Sequence, residues 1–243
     1  MAKKRKLTGR EPTLGGMRVL ITAGPTHEYL DDVRYLGNPS TGRMGIELAR
    51  AARKLGADAT VVCGPTHLAA PPGVRLVPVV SAEDMLAAVS ERFNDCDVFI
   101  ASAAVSDYRP KRLVRGKIKK SKRAMTMELV RNPDVLLRMG KRRIDGQTIV
   151  GFSLESADEI SNARKKLEKK GCDLMVVNTP RHFGDARESV RVINSEGLIA
   201  EIPPSSKAAV AARVCELVAE LRVSGRLPML RAFAEPVAAG RRK

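Results

Sequence analysis

Short apolar runs rich in β-branched residues alternate along this chain with stretches whose apolar residues recur at helical spacing, and that alternation limits what it can fold into. The runs are residues 17–23 (MRVLITA), 59–63 (ATVVC), 74–80, 97–104 (DVFIASAA), 148–152 (TIVGF) and 173–178 (DLMVVN). Between them, residues 41–55 place Met44, Ile46, Leu48, Ala49, Ala52 and Leu55 at helical spacing. Ser81 with Asp84 reads as a capping box, and Ser156 with Glu159 reads as another that opens a helix to Lys170. Strands covered by helices on both faces lack alternating polarity, so the expected fold is α/β, a Rossmann-like doubly wound, mostly parallel sheet. Pro78 assigns its strand to an edge or a strand end. Toward the C-terminus the pattern changes. Residues 189–193 and 198–202 flank Asn194-Ser-Glu-Gly197, a hairpin signal, before a helix from about Ser206 to Leu221.

Length and content agree with that fold: 243 residues with 44% hydrophobic content can bury a sizeable core. The expected organisation is a basic flexible tail over residues 1–16, one α/β domain over 17–222 and a C-terminal tail over 223–243. Residues 108–131 stand apart within the domain. They are strongly basic, and Met125, Met127 and Leu129 alternate with Thr126, Glu128 and Val130, as in a flap of extended chain projecting from the sheet. A lone two-stranded ribbon is marginally stable in water, so the flap is expected to pair with a second subunit.

No apolar run approaches the roughly 20 residues that span a bilayer, and no apolar stretch follows the basic N-terminus as in a secretory signal. A cytoplasmic location is expected. Cys63, Cys96, Cys172 and Cys215 stand singly, which predicts free thiols rather than a disulfide framework or zinc site. The net charge of +16 calls for an anionic partner: nucleic acid, a membrane surface or phosphorylated small molecules. Only 3% of residues are aromatic and none is Trp, which argues against single-strand nucleic-acid binding by base stacking.

Candidate chemistry gathers where strands end. The loop from Gly24 to Gly45 joins the first strand to the first helix, where open α/β sheets bind phosphorylated ligands, yet it is neither G-x-G-x-x-G nor a Walker A loop. Asp107 follows the DVFIASAA strand, and its carboxylate can serve a sugar, a base, a metal or a turn cap. Lys117-Ile-Lys-Lys120 can neutralise a triphosphate or form a solvated charge run, and the same holds for Lys166 and Lys170, four residues apart on one helix. Asn132-Pro-Asp134 is a helix-start signal, with the proline setting the first turn. His27, His67 and His182 form no ligand pattern.

Taken together, the motifs resemble one family. Residues 19–26 (VLITAGPT), 33–45 (VRYLGNPSTGRMG), 102–110 (SAAVSDYRP), 117–120 (KIKK), 129–135 (LVRNPDV), 150–152 (VGF), 163–170 (ARKKLEKK) and 173–178 occur in the order of phosphopantothenoylcysteine synthetases of the bacterial branch. The resemblance spans about residues 17–222. It implies a ligase of coenzyme A biosynthesis that joins 4′-phosphopantothenate to L-cysteine through an acyl-cytidylate, releasing CMP and pyrophosphate. CTP with Mg2+ is the implied co-substrate, ATP is the alternative, and no flavin is implied. The resemblance also implies a homodimer that binds neither nucleic acid nor membrane.

The family motifs imply roles residue by residue. Asn38 and Lys117 are the implied catalytic residues, the first through its amide toward the acyl intermediate, the second toward the charge that builds during nucleotidyl transfer. The implied nucleotide site comprises Ala101, Ser102, Ala103, Asp107, Lys117, Asn132, Pro133, Asp134, Val135, Phe152, Lys166 and Lys170. Ser40, Thr41 and Gly42 form the implied substrate-phosphate loop, and no metal ligands are implied. Two departures stand out. Many relatives carry a flavin-dependent decarboxylase domain ahead of the synthetase, whereas residues 1–16 alone precede the first strand here, so a separate decarboxylase is expected. The loop also reads Asn-Pro-Ser-Thr-Gly where Asn-His-Ser-Ser-Gly is commoner. The competing readings are an NAD(P)-dependent oxidoreductase, disfavoured by the missing glycine fingerprint, and a basic nucleic-acid-binding module.

Overall fold

The computed structural model describes residues 13–120, 124–155, 158–178 and 187–227. The basic residues Lys3 to Lys6 and Arg241 to Lys243, together with Arg123, Ser156 and His182, lie outside them. The first half of the chain contains β1 (Arg18–Ala23), β2 (Glu28–Tyr29), β3 (Tyr35–Leu36), α1 (Arg43–Lys54), β4 (Asp58–Cys63), β5 (Arg75–Pro78), α2 (Ala82–Arg92) and β6 (Val98–Ala101). The second half contains β7 (Tyr108–Pro110), β8 (Leu129–Arg131), α3 (Val135–Lys141), β9 (Thr148–Leu154), α4 (Glu159–Lys170), β10 (Leu174–Asn178), β11 (Arg187–Ile193), β12 (Leu198–Ser206) and α5 (Lys207–Ser224).

Eight strands form one sheet in the order β12-β11-β10-β9-β6-β1-β4-β5. Those from β10 to β5 run parallel, while β11 and β12 close the other edge antiparallel. The α/β class expected from the alternation is the one observed. Successive residues of β1 point to opposite faces, and each face has its own core. Val19, Ile21 and Ala23 pack with Leu48 and Ala52 of α1 and with Val214 and Val218 of α5. Leu20 joins Phe99 and Ile149 under Met85 of α2, Met139 of α3 and Leu167 of α4. Each fully buried side chain of this size contributes about 1.5–3 kcal/mol.

Local signals set most element ends. Ser81 Oγ accepts the Asp84 N–H at 3.1 Å and the Asp84 carboxylate accepts the Ser81 N–H at 2.9 Å, the expected capping box. Asn194 Oδ1 accepts the amides of Glu196 and Gly197, which closes the expected hairpin between β11 and β12. Pro78 ends β5 at the sheet edge. At Gly45 a Cβ would lie 2.4 Å from the Ala23 Cβ, so glycine there lets α1 start directly against the end of β1.

Two local expectations are corrected. Asp158, with φ 45° and ψ 43°, precedes α4 and makes no side-chain cap, while Ser156, expected to form a capping box with Glu159, lies outside the described residues. Pro133 is not the first residue of α3. Asp134 is the N-cap, its carboxylate accepting the Leu137 N–H at 2.9 Å, so the proline lies one residue before the cap. Within the flap, the antiparallel ladder is confined to β7 and β8, and Ala124 to Glu128 are not in a strand, although Met125 and Met127 fit the alternating pattern. Beyond the sheet, α5 runs on to Ser224, past the expected end of the domain at residue 222.

Candidate active site

The chain leaves β1 toward α1 and β4 on one side of the sheet, and β6 lies against β1 on the other side. Loops following β1 and β6 therefore meet over a switch in strand order, where parallel sheets gather ligands. Here they are bonded together. Thr22 Oγ1 accepts the Ala103 N–H at 3.2 Å, Ser102 Oγ donates to the Thr22 carbonyl at 2.6 Å, and the Ala104 N–H donates to the Gly24 carbonyl at 2.9 Å. Thr26 Oγ1 continues the seam by accepting the Ser106 N–H at 3.0 Å. Thr22 is the one uncharged polar side chain in MRVLITA, and it is buried at the end of β1, where it bonds the loop after β6.

Asn38 docks onto that seam. Its Nδ2 donates to the Ala104 carbonyl at 3.1 Å and to the Val105 carbonyl at 3.3 Å, which fixes the amide orientation and leaves Oδ1 free of hydrogen bonds among the described residues. Asn132 fastens the other end: its Nδ2 donates to the Ser106 carbonyl, its backbone N–H to the Asp107 carbonyl, both at 2.8 Å, and its Oδ1 accepts from Arg109. The Asn132 side chain is thus engaged in holding the Asp107 loop. Asp107 itself is exposed, with no side-chain partner among the described residues. Ala101 to Ala103 are half-buried between β1 and this loop, Phe152 of β9 is half-buried, and Val135 is buried at the start of α3.

The cations divide into two sets. Lys170 reaches Asp134 at 3.2 Å, and Lys166 reaches Glu155 at 2.5 Å and Ser153 Oγ at 3.3 Å. Both α4 lysines therefore stand beside carboxylates rather than alone, and Lys170 meets the Asn-Pro-Asp segment. Lys117 is exposed and forms no ion pair with a described residue; with Lys111, Arg112, Lys119, Met125 and Met127 it lines a hollow of about 570 Å3 in the flap. No hydrogen bond joins it to the seam. The hydroxyls of Ser40 and Thr41 each accept an amide of their own loop: Ser40 Oγ the Gly42 N–H at 3.3 Å and Thr41 Oγ1 the Arg43 N–H at 3.4 Å, with Gly42 at φ 79° before α1 and Thr41 exposed.

Sequence reading missed Thr22, Thr26, Asp31 and Glu155, whose partners lie far along the chain or within another motif. Asp31 is fully buried, and its carboxyl is held below the usual range chiefly by the Ile118 amide, then by the amides of Val33 and Arg34. Burial lowers the His27 imidazole, which stacks on Tyr35 with ring centres 3.6 Å apart. The four cysteines are buried free thiols, Cys63 pushed up to about 11 and the others to about 12. Among the described residues no three His, Cys, Asp or Glu side chains cluster as a metal site, and no helix is long and apolar enough to cross a membrane.

Residues 14–221 match the family described as DNA/pantothenate metabolism flavoprotein C-terminal domain. The chain belongs to this family. It is 41% identical over 213 residues to the coenzyme A biosynthesis bifunctional protein CoaBC of Vibrio cholerae, covering 85% of this chain and 53% of that protein. It is 36% identical over 207 residues to the CoaBC of Borreliella burgdorferi, covering 84% and 53% respectively. This family is the one that the phosphopantothenoylcysteine synthetase motifs indicated. The chain spans about half the length of these curated relatives.

Solved structures give the same answer. The C-terminal domain of a CoaBC superposes with a TM-score of 0.75 at 35% identity, covering 87% of this chain and 98% of that one. A Cab2 mutant in complex with phosphopantothenate-cysteine shares the fold, with a TM-score of 0.68 at 17% identity, covering 86% and 88%. Family membership sets aside the NAD(P)-dependent oxidoreductase reading.

Proposed function

We propose that this chain is a phosphopantothenate–cysteine ligase that uses CTP and Mg2+, works as a homodimer in the cytoplasm and binds no flavin. The observation that carries the reading is the seam between the β1 and β6 loops, which holds Asn38 and the Asp107 loop together at the carboxyl ends of the central strands. A carboxylate does not acylate an amine at neutral pH, so its oxygen must first be converted into a leaving group. In the proposed reaction the phosphopantothenate carboxylate attacks the α-phosphorus of CTP and pyrophosphate departs. The cysteine amine then attacks the acyl carbon, loses its proton and expels CMP.

Each residue has a task in that sequence. Asp107, exposed and unpaired among the described residues, accepts hydrogen bonds from the nucleotide's ribose or base, and as an oxygen donor it also fits Mg2+, whose bound charge would offset that of the triphosphate. Asn132, Pro133, Asp134, Val135 and Phe152 with Ala101, Ser102 and Ala103 wall the nucleotide pocket. Lys166 and Lys170 exchange their present carboxylate partners for phosphate oxygens, and Lys117 offsets the charge that builds as pyrophosphate leaves. Ser40, Thr41 and Gly42 face the phosphate of the second substrate. Asn38 Nδ2 is engaged by two carbonyls, so its free Oδ1 is the atom that meets the intermediate, accepting from the attacking amine of cysteine.

Pyrophosphate release measured with each of the four nucleoside triphosphates tests the reading. Release should require 4′-phosphopantothenate and be fastest with CTP, whereas product should also require cysteine. Release independent of phosphopantothenate would overturn it, and faster release with ATP would replace the nucleotide.

A further inference from the structure

The loop that carries Lys117 is tied on both sides of that residue to the hairpin ahead of Asn38. Gly116 N–H donates to Asp32 Oδ2 at 2.8 Å, and Ile118 N–H donates to Asp31 Oδ2 at 3.0 Å. Arg34 adds a third tie, its NH2 donating to the Ile118 carbonyl at 3.2 Å while its NH1 lies 3.5 Å from Asp31 Oδ2. Farther back, the Val114 N–H donates to the Leu30 carbonyl at 3.0 Å, and Asp31 and Val114 form a parallel bridge. Asp31 is 0% exposed, although it sits in a loop with three charged neighbours in sequence terms: Glu28, Asp32 and Arg34. A buried carboxylate is retained where hydrogen bonds compensate its lost hydration, and here both oxygens are occupied.

The two oxygens do different work. Oδ1 accepts the Val33 and Arg34 amides at 2.8 and 2.7 Å, which folds the turn between β2 and β3. Oδ2 reaches across to Ile118, 87 positions along the chain. One side chain therefore shapes the strand pair that leads into Gly37 and Asn38 and also fixes the backbone beside Lys117. The flap has little else to fix it there, because its ladder ends at Pro110 and Leu129 and Lys117 is exposed without an ion-pair partner among the described residues.

We propose that Asp31 is a positioning residue: it clips the Lys117 loop to the Asn38 hairpin, so that the groups serving the two half-reactions are held in one frame. This inference rests on the ligase reading for the role of Lys117, but the clip itself does not. An ammonium five bonds from its Cα has a wide reach, and freeing the backbone multiplies the conformations in which it misses the phosphates.

Asp31→Asn separates the clip from the turn. The carboxamide oxygen keeps the two amides of the turn, and its NH2 is then left facing the Ile118 N–H and the Arg34 guanidinium, donor against donor, so that the tie to Ile118 and the Arg34 ion pair are lost while the turn is kept. Two measurements on the full-length variant test the proposal. Amide hydrogen exchange across Val114 to Ile118 should become faster, with exchange in β1 and β6 unchanged. The kcat for pyrophosphate release should fall roughly 10- to 100-fold with the KM for CTP changed much less. Unaltered exchange at Ile118 overturns the clip. Faster exchange with normal kcat overturns the positioning role, as does a rise in KM alone. Should Asp31→Asn not fold, Asp32→Ala removes the exposed Gly116 tie and must show the same pairing of faster exchange with lower kcat. If exchange quickens in either variant while Lys117→Gln releases pyrophosphate at the normal rate, the clip stands and the role of Lys117 is what fails.

Discussion

Asn38 Nδ2 donates to the Ala104 carbonyl at 3.1 Å, which makes the side chain of the first loop part of the loop that follows β6. In Asn38→Asp a carboxylate oxygen would face the Ala104 and Val105 carbonyls, acceptor against acceptor, and the cost of such a mismatch is about 1–3 kcal/mol. The variant should bind CTP, because no charge needed for the triphosphate is removed, and it should pass the acyl group to cysteine slowly. Rapid quench with mass analysis should then find an enzyme-bound phosphopantothenoyl-CMP that outlasts the one in wild type. Normal product formation, or loss of CTP binding, would remove Asn38 from the transfer step.

Lys117 has no ion-pair partner among the described residues to keep or to lose, so changing it should leave the fold intact. Lys117→Gln should slow pyrophosphate release by about 100-fold or more, the size of effect expected when a donor to developing charge is removed. Unfolding by heat should be unchanged within about 0.5 kcal/mol, as for an exposed position. Release at the wild-type rate would refute the assignment.

The contrast between these two residues shows what could be read from the chain alone. Elements held by neighbours in sequence were legible: the Ser81 and Asp84 capping box, the Asn194 hairpin turn and the apolar strands of the sheet core. Contacts that join distant loops were not. Asp31 in a run of charged and turn-forming residues looks like solvated surface, and nothing local announces that its carboxylate is buried against Ile118. The same limit applies to the Asn-Pro-Asp segment. Its residues could be singled out, yet the side chain of Asn132 is used to hold the Asp107 loop, which requires knowing that β7 and β8 pair beside it.

The flap exposes large apolar side chains, including Leu113 at 58%, which lies among Lys111, Arg112 and Arg115, and Met125 at 62%. A ribbon whose ladder spans only Tyr108–Pro110 and Leu129–Arg131 is marginal on its own, and a second copy would cover those side chains. Light scattering at micromolar concentration should therefore give about twice the monomer mass. Replacing Leu113 and Met125 together with Ser should shift the protein toward monomer; a wild-type protein that is already monomeric excludes this interface.

Acid should expose the contribution of Asp31. Its carboxyl titrates below the ordinary value in the folded protein, chiefly through the Ile118 amide, whereas in the unfolded chain it returns to about 3.9. The folded state thus binds the proton less readily, so the stabilisation is complete above the unfolded value and is lost as pH falls through the folded one. Asp84, lowered mainly by the Ser81 amide, adds a loss in the same direction. Asp31→Asn should melt below wild type at pH 7, with the gap narrowing once the pH is taken below about 4. Thermal unfolding midpoints of both proteins between pH 7 and pH 3 would show it. A gap that stays constant over that range would mean that the carboxylate charge contributes nothing, and that Asp31 stabilises the fold through shape alone.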